Sequence, residues 1–226
     1  MSYVIATSRS WHQPMADRLR ERTGQDFHLI TRKADLTPEK LEQLAPEFVF
    51  FPHWSYIIPD EIIDRFVCVI FHMTDLPYGR GGSPLQNLIA RGMDQTQLSA
   101  IKCVSELDAG PIYMKRQLCL HGSAEEIYLR AGKLTEDMIV EIVTTRPEPQ
   151  PQSGEVTAFK RRTPEQSRIE GISGLDALFD HIRMLDAKGY PHAYLEADGF
   201  RFEFRRAARR DGRIVADVVI READSE

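Results

Sequence analysis

The sequence predicts an α/β fold: a Rossmann-like sheet, parallel or mixed, with helices on both faces and a small C-terminal α+β extension. Three observations point there. Through residues 3–92 short apolar runs alternate with amphipathic segments over short connections, the pattern of parallel βαβ units. At 146–155 the stretch "RPEPQPQSGE", rich in proline and polar residues, reads as a linker or surface loop. Beyond it come an amphipathic segment and two alternating strands, a different pattern. The chain has 226 residues, 42% hydrophobic and 28% charged, which is ordinary globular composition and enough to bury a core without metal or disulfide. At ~150 residues per domain, this suggests one domain over 1–150 and an extension over 151–226, a helix and β-hairpin packed on that domain.

Each element has its own signal. "YVIATS" at 3–8 is a short buried strand, and 13–24 a helix that Gly24 stops. A second strand at 26–31 leads to a helix over 37–47 that opens with Thr37 and Pro38. The strand "FVFF" at 48–51, the helix at 59–66, and "VCVIFH" at 67–72 follow. Ser83 caps a helix over 83–92. "LSAIKCVSE" and "PIYMKRQLCL" form a strand pair around "LDAG". The longest helix, 123–145, has a serine cap and glutamates in its first turn. A helix at 174–186 precedes strands "FRFEFRR" and "RIVADVVI", joined by a turn containing Asp211-Gly212.

Composition narrows the function. A net charge of −5 argues against general nucleic-acid binding, which normally leaves a basic footprint. Cys68, Cys103 and Cys119 lie in apolar runs without disulfide or zinc spacing, and are expected to be buried free thiols. No basic start precedes an apolar stretch, and no run reaches the ~18 apolar residues of a membrane span, so a cytoplasmic protein without a membrane partner is expected. The seven histidines show no metal-ligand spacing.

Ligands of parallel α/β sheets bind beyond the carboxyl ends of the strands. His53 and Trp54 follow the third strand and His72 ends the fourth, so all three fall on that edge. In "SELDAGPI", Asp108 is available as the carboxylate that would fix the tautomer of His72 and raise its basicity, although a turn-forming role ahead of Gly110 is equally open. The turn "LPYGRGGSP" fits neither a dinucleotide fingerprint nor a P-loop; its glycines would let backbone approach a flat ligand or second substrate.

"FHMTDLPYGRGGSPLQNLI", together with "SELDAGPI", resembles the formyltransferases that use 10-formyltetrahydrofolate. The matching positions are His72, Leu76-Pro77, Arg80-Gly81, Pro84, Leu107-Asp108 and Gly110-Pro111. "FKRRTPEQSRIE" and "HIRMLDAKGYPHAYLEADG" resemble later segments of the sugar and methionyl-tRNA members, so the likeness runs over roughly residues 3–205. It implies that 1–150 is the catalytic domain, with His72 and Asp108 catalytic and Arg80, Gly81, Glu106 and Leu107 near the folate; Trp54, placed on the same edge, could wall the flat pterin ring or equally be a core aromatic. One position departs from the pattern. The family asparagine two places before the histidine falls on Ile70, which cannot hydrogen-bond an oxyanion. His53 is the candidate replacement; without one, the protein would be inactive in this reaction.

The resemblance implies formyl transfer to a primary amine. A C-terminal part of about seventy residues and the negative charge disfavour methionyl-tRNA. The expected acceptor is therefore a nucleotide-linked amino sugar, as in the pseudaminic-acid pathway type, with no nucleic acid. An amino-acid amine such as hydroxyornithine is the alternative. A non-catalytic folate or nucleotide sensor and a hydrolase using the same pair are the rival classes. Arg161, Arg162, Arg205, Arg206, Arg209 and Arg210 could hold a diphosphate or simply face water, and strands 199–220 could form a homodimer contact.

Overall fold

The computed structural model describes residues 1–223. In chain order the elements are β1 (Ser2–Ala6), α1 (Met15–Thr23), β2 (Asp26–Ile30), α2 (Pro38–Leu44), β3 (Phe48–Phe51), α3 (Asp60–Arg65), β4 (Cys68–His72), β5 (Tyr78–Gly81), α4 (Pro84–Ile89), β6 (Gln95–Lys102), β7 (Ile112–Cys119), α5 (Ala124–Thr145), β8 (Thr157–Phe159), α6 (Leu175–Arg183), β9 (Ala193–Ala197), β10 (Phe200–Arg210) and β11 (Arg213–Glu222). This is the expected mixed α/β fold. The chain divides into two compact units, the first built from Met1–Gly81, Gln97–Leu118 and Leu129–Ala158. The second contains Gly82–Thr96, Cys119–Tyr128 and residues 159–223.

The first unit is organised by a six-stranded sheet in the order β2-β1-β3-β4-β6-β7. β1 pairs in parallel with β2 and β3, and β3 with β4, whereas β6 runs antiparallel to β4. The local signals act as expected for several helices. Gly24 ends α1 at φ 67, Thr37 Oγ1 accepts from the Lys40 N–H at 3.2 Å, and Ser123 and Glu126 form a reciprocal capping box at α5. One face of the sheet carries Val4, Ala6, Val49, Phe51 and Cys68, which pack with Leu41 and Ile62 into a closed apolar cluster. Ile70 and Trp54 lie against its margin.

β5 and β8 form a small two-stranded sheet that the sequence pattern does not announce. The 146–155 stretch is likewise tied down: Gln150 exchanges backbone bonds of 2.7 and 2.8 Å with Ile112. Ser83 does not cap α4; at φ 51 its hydroxyl instead accepts the Arg162 N–H at 3.0 Å. Cys68 and Cys103 are buried thiols, but Cys119 is exposed because alternate positions of β7 face outward. Among the described residues no helix is long and apolar enough to cross a membrane.

In the second unit β9, β10 and β11 form an antiparallel sheet, with Gly212 at φ 62 in the hairpin turn. α6 packs on β10 and β11. On one face Glu203 gathers Arg201, Arg205 and Arg221 within 3.3–3.6 Å.

Candidate active site

β1, β3 and β4 are parallel neighbours, so the loops beyond Ala6, Phe51 and His72 leave the same edge of the sheet. β1 stands between β2 and β3, and the strand order reverses there, the topological position at which such sheets bind ligands.

His72 is buried at the end of β4, its Nδ1 3.5 Å from Asp108 Oδ2. That separation is ion-pair reach and longer than a direct hydrogen bond. Its Nε2 lies 2.8 Å from the Gly79 carbonyl oxygen; a carbonyl only accepts, so this bond places a proton on Nε2. Asp108 is also buried, and its Oδ2 accepts the Gly81 N–H at 2.9 Å. The glycine-rich turn is therefore not open space. Its backbone folds into β5 and presents a carbonyl to the histidine and an N–H to the carboxylate. Gly79 at φ 77 and Gly81 at φ 105 take the left-handed conformations this requires.

The segment between is pinned from several sides. The Ser99 hydroxyl donates to the Thr74 carbonyl at 2.7 Å, and Lys115 Nζ to the Leu76 carbonyl at 2.6 Å. On the other side, Gly110 runs so close to β6 that an added Cβ would lie 1.7 Å from the Lys102 carbonyl oxygen. Asp108 itself has φ 52, a left-handed backbone that costs a non-glycine residue about 1–2 kcal/mol.

Arg80 lies on β5, beside the pair. Its Nη1 bonds Glu106 Oε1 at 2.9 Å, and its Nε and Nη2 bond Gln152 Oε1 at 3.1 and 2.9 Å. Glu106 and Leu107 are exposed on the same loop as Asp108. The sequence does not single out Gln152; a glutamine in a proline-rich run has no spacing signature.

Past β1 and β3 the surroundings are different. The Ser8 hydroxyl donates to the His53 carbonyl at 2.9 Å, joining the two loops. His53 has φ 54 and meets Trp11 edge-on at a centroid distance of 5.6 Å; the buried His12 ring lies 6.3 Å away. Burial, then Arg9 and His12, push the His53 pKa down to about 3. Burial, then Arg18 and Arg9, push that of His12 down to about 4. Both rings are neutral at ordinary pH and can each donate one N–H. Trp54 stacks edge-on with Phe51 and Tyr56, its indole Nε1 buried without a hydrogen-bond partner among the described residues. Ile70 faces Phe51 on β3 and Ile101 on β6, presenting hydrocarbon where the resembling family carries an amide.

Comparison with known proteins places this chain in a family. The family model described as "Formyl transferase" matches residues 10–143, more than half of the chain. The chain belongs to the formyl transferase family. A second model, "Methionyl-tRNA formyltransferase, C-terminal domain", matches residues 164–221. The formyl transferase chain is 28% identical over 182 residues to the methionyl-tRNA formyltransferase of Halorhodospira halophila, covering 76% of this chain and 58% of that protein. It thus spans a little over half the length of the curated relatives it matches. A solved structure titled "Methionyl-tRNA formyltransferase from Clostridium thermocellum" is 50% identical, with a TM-score of 0.96, over 99% of this chain and 100% of that one. HypX from Aquifex aeolicus, solved in complex with tetrahydrofolic acid, shares the fold at 19% identity and a TM-score of 0.73, over 91% of this chain and 37% of HypX.

These relatives correct one expectation. A nucleotide-sugar partner with no nucleic acid does not stand, because the curated relatives and the 50% identical solved structure are named as methionyl-tRNA enzymes. The argument from net charge fails because a sum over the chain hides local clustering: arginine occupies positions 201, 205, 206, 209, 210 and 213. The argument from a short C-terminal part fails because that part itself matches the C-terminal model.

Proposed function

We propose that this formyl transferase moves the formyl group of 10-formyltetrahydrofolate onto the α-amine of methionyl-tRNA. The observation that carries the acceptor is the 50% identical solved structure, matched end to end and bearing that name. The chemistry rests on His72 and Asp108, joined at one sheet edge from positions far apart in sequence. The tetrahydrofolic acid in the HypX complex supports the donor.

In this reading the neutral amine attacks the formyl carbon and a new C–N bond forms. The carbonyl oxygen gains charge in the tetrahedral intermediate and needs donors aimed at it. The bond to the folate nitrogen then breaks, that nitrogen takes a proton, and the attacking amine loses one. His72 serves this exchange once Nε2 gives up the Gly79 carbonyl for the reacting group, a tightening expected between free and substrate-bound sites. Asp108 holds the ring from the other side, within ion-pair reach of Nδ1. Arg80, Gly81, Glu106 and Leu107 line the donor side, and Trp54 provides an aromatic wall. The arginines of the β10–β11 hairpin suit phosphate contacts of an RNA acceptor once phosphate displaces the carboxylates they pair with, Glu203, Asp217 and Asp176.

The test is a direct assay with methionyl-tRNA, uncharged tRNA and free methionine as acceptors. The proposal expects N-formylmethionyl-tRNA and stoichiometric tetrahydrofolate with the first acceptor alone. Tetrahydrofolate release at the same rate with no acceptor would make the protein a hydrolase and overturn the reading.

A further inference from the structure

We propose that Gln152 is a positioning residue that sets the aim of Asp108 on His72. The inference rests on the formyl-transfer reading for its kinetic consequence and on geometry alone for its structural one. The Gln152 amide has two N–H donors and one oxygen, and all are used. Nε2 donates to the carbonyls of Asp108 at 2.7 Å and Gly110 at 2.9 Å, while Oε1 accepts from Arg80 Nε at 3.1 Å and Nη2 at 2.9 Å. The two carbonyls bracket Ala109, so one side chain fixes the turn on both sides of its tip. Through Arg80 the same side chain holds β5, whose Gly81 N–H grips the Asp108 carboxylate. The catalytic carboxylate is thus held by its side chain from β5 and by its backbone from Gln152, and the two grips meet at one amide.

The clamp answers a specific need. A non-glycine residue at φ 52 persists only where its surroundings over-determine it. The Lys102 N–H to Pro111 carbonyl bond, 2.9 Å, closes the base of the loop, and Gln152 supplies the hold near its tip. Without that hold Asp108 can relax toward ordinary φ and swing its carboxylate away from Nδ1. A misplacement of ~1 Å in a catalytic group is enough for about 10²-fold in rate.

The experiment compares Gln152→Ala, Gln152→Glu and Asp108→Asn in the full chain, each checked for a wild-type far-UV spectrum and cooperative melting. Gln152→Glu keeps the acceptor for Arg80 and removes both donors to the loop. The first readout needs no substrate: the ring ¹⁵N and ¹H resonances of His72. Gln152→Ala and Gln152→Glu are expected to move them in the direction that Asp108→Asn does. The second is the kcat and KM for formyl transfer, with kcat falling about 10²-fold in both Gln152 variants and KM changing less than about threefold. In the Asp108→Asn background, Gln152→Ala should cost less than about twofold, because its effect passes through a carboxylate already removed. Losses that multiply in the double variant overturn the proposal, as does a Gln152→Glu protein with wild-type kcat. If even the wild type transfers no formyl group, the functional reading fails. The clamp is then decided by the resonances alone, and unmoved His72 signals in Gln152→Ala refute it.

Discussion

Two stretches of one sheet edge carry histidine, and they treat it in opposite ways. At the end of β4, His72 is flanked by a carboxylate and a carbonyl, acceptors on both sides of the ring. Past β1 and β3, His12 and His53 sit among Arg9, Arg18 and Trp11, surroundings that penalise a second proton. Gly132 of α5 leaves the notch for His12: a Cβ there would come within 2.8 Å of its Cε1. Topology delivers all three histidines to the same sheet edge, so position alone does not assign their chemistry. The neighbouring groups do, and each region can be tested by changing them.

The largest effect should come from the β4 end. His72→Ala and Asp108→Asn are each expected to lower kcat for formyl transfer by about 10²–10⁴-fold, the range for general acid–base catalysts. Asn at 108 retains an oxygen for the Gly81 N–H, so its melting temperature should stay within a few degrees of wild type. Steady-state rates and calorimetry on the same samples decide it. A rate loss matched by a collapse in stability would mean that the pair holds the loop rather than the chemistry.

The other region should speak in stability. The pKa of His12 is about 4 folded against roughly 6.5 unfolded, and its ring is buried. Above the unfolded value neither state takes the proton and the term vanishes. As pH falls below it, the unfolded chain binds a proton that the folded chain refuses, so stability drops until the folded pKa is reached. At pH 4.5 the cost is on the order of 2–3 kcal/mol, and His53 adds in the same direction. Denaturant titrations at pH 7.5 and 4.5 should show a smaller acid loss in His12→Gln than in wild type. Equal losses would show that His12 takes up a proton in the folded state.

Much of the fold was legible because it is written in local periodicity. The alternation of β1 to β4 with their helices, the Thr37–Pro38 start of α2, Gly24 and the Ser123 cap all act within a few residues of where they stand. The juxtaposition of His72 and Asp108 was legible because both residues fall within recognisable motifs. What sequence alone hid is non-local. "YGRG" becomes a strand only because residues 157–159 arrive beside it. Ser83 looks like a helix cap, yet its hydroxyl is taken by the Arg162 N–H. Gln152 carries no pattern of its own; its meaning lies in carbonyls more than forty positions away. Cys119 reads as buried in an apolar run, but strand alternation turns it outward.

The smallest expected effect joins the two regions. Ile70 places hydrocarbon two residues before His72, on the same side of β4, and its packing at the edge of the apolar cluster explains why the strand tolerates it. The proposed reaction needs a donor for the developing oxyanion, and the neutral His53 ring is the candidate from the next strand. A well-placed donor contributes about 10²–10³-fold, and a substitute from another loop should contribute less. His53→Ala is therefore expected to lower kcat about tenfold. Adding Ile70→Asn to that variant should recover most of the loss, since an amide at 70 stands beside His72 in the place the family uses. Ile70→Asn alone should change kcat little and reduce stability by about 1–3 kcal/mol through the polar group it brings to the cluster margin. If His53→Ala keeps the wild-type rate, the two histidine regions work independently and the oxyanion finds its donor elsewhere. If the loss appears and Ile70→Asn does not restore it, His53 serves the substrate rather than the intermediate.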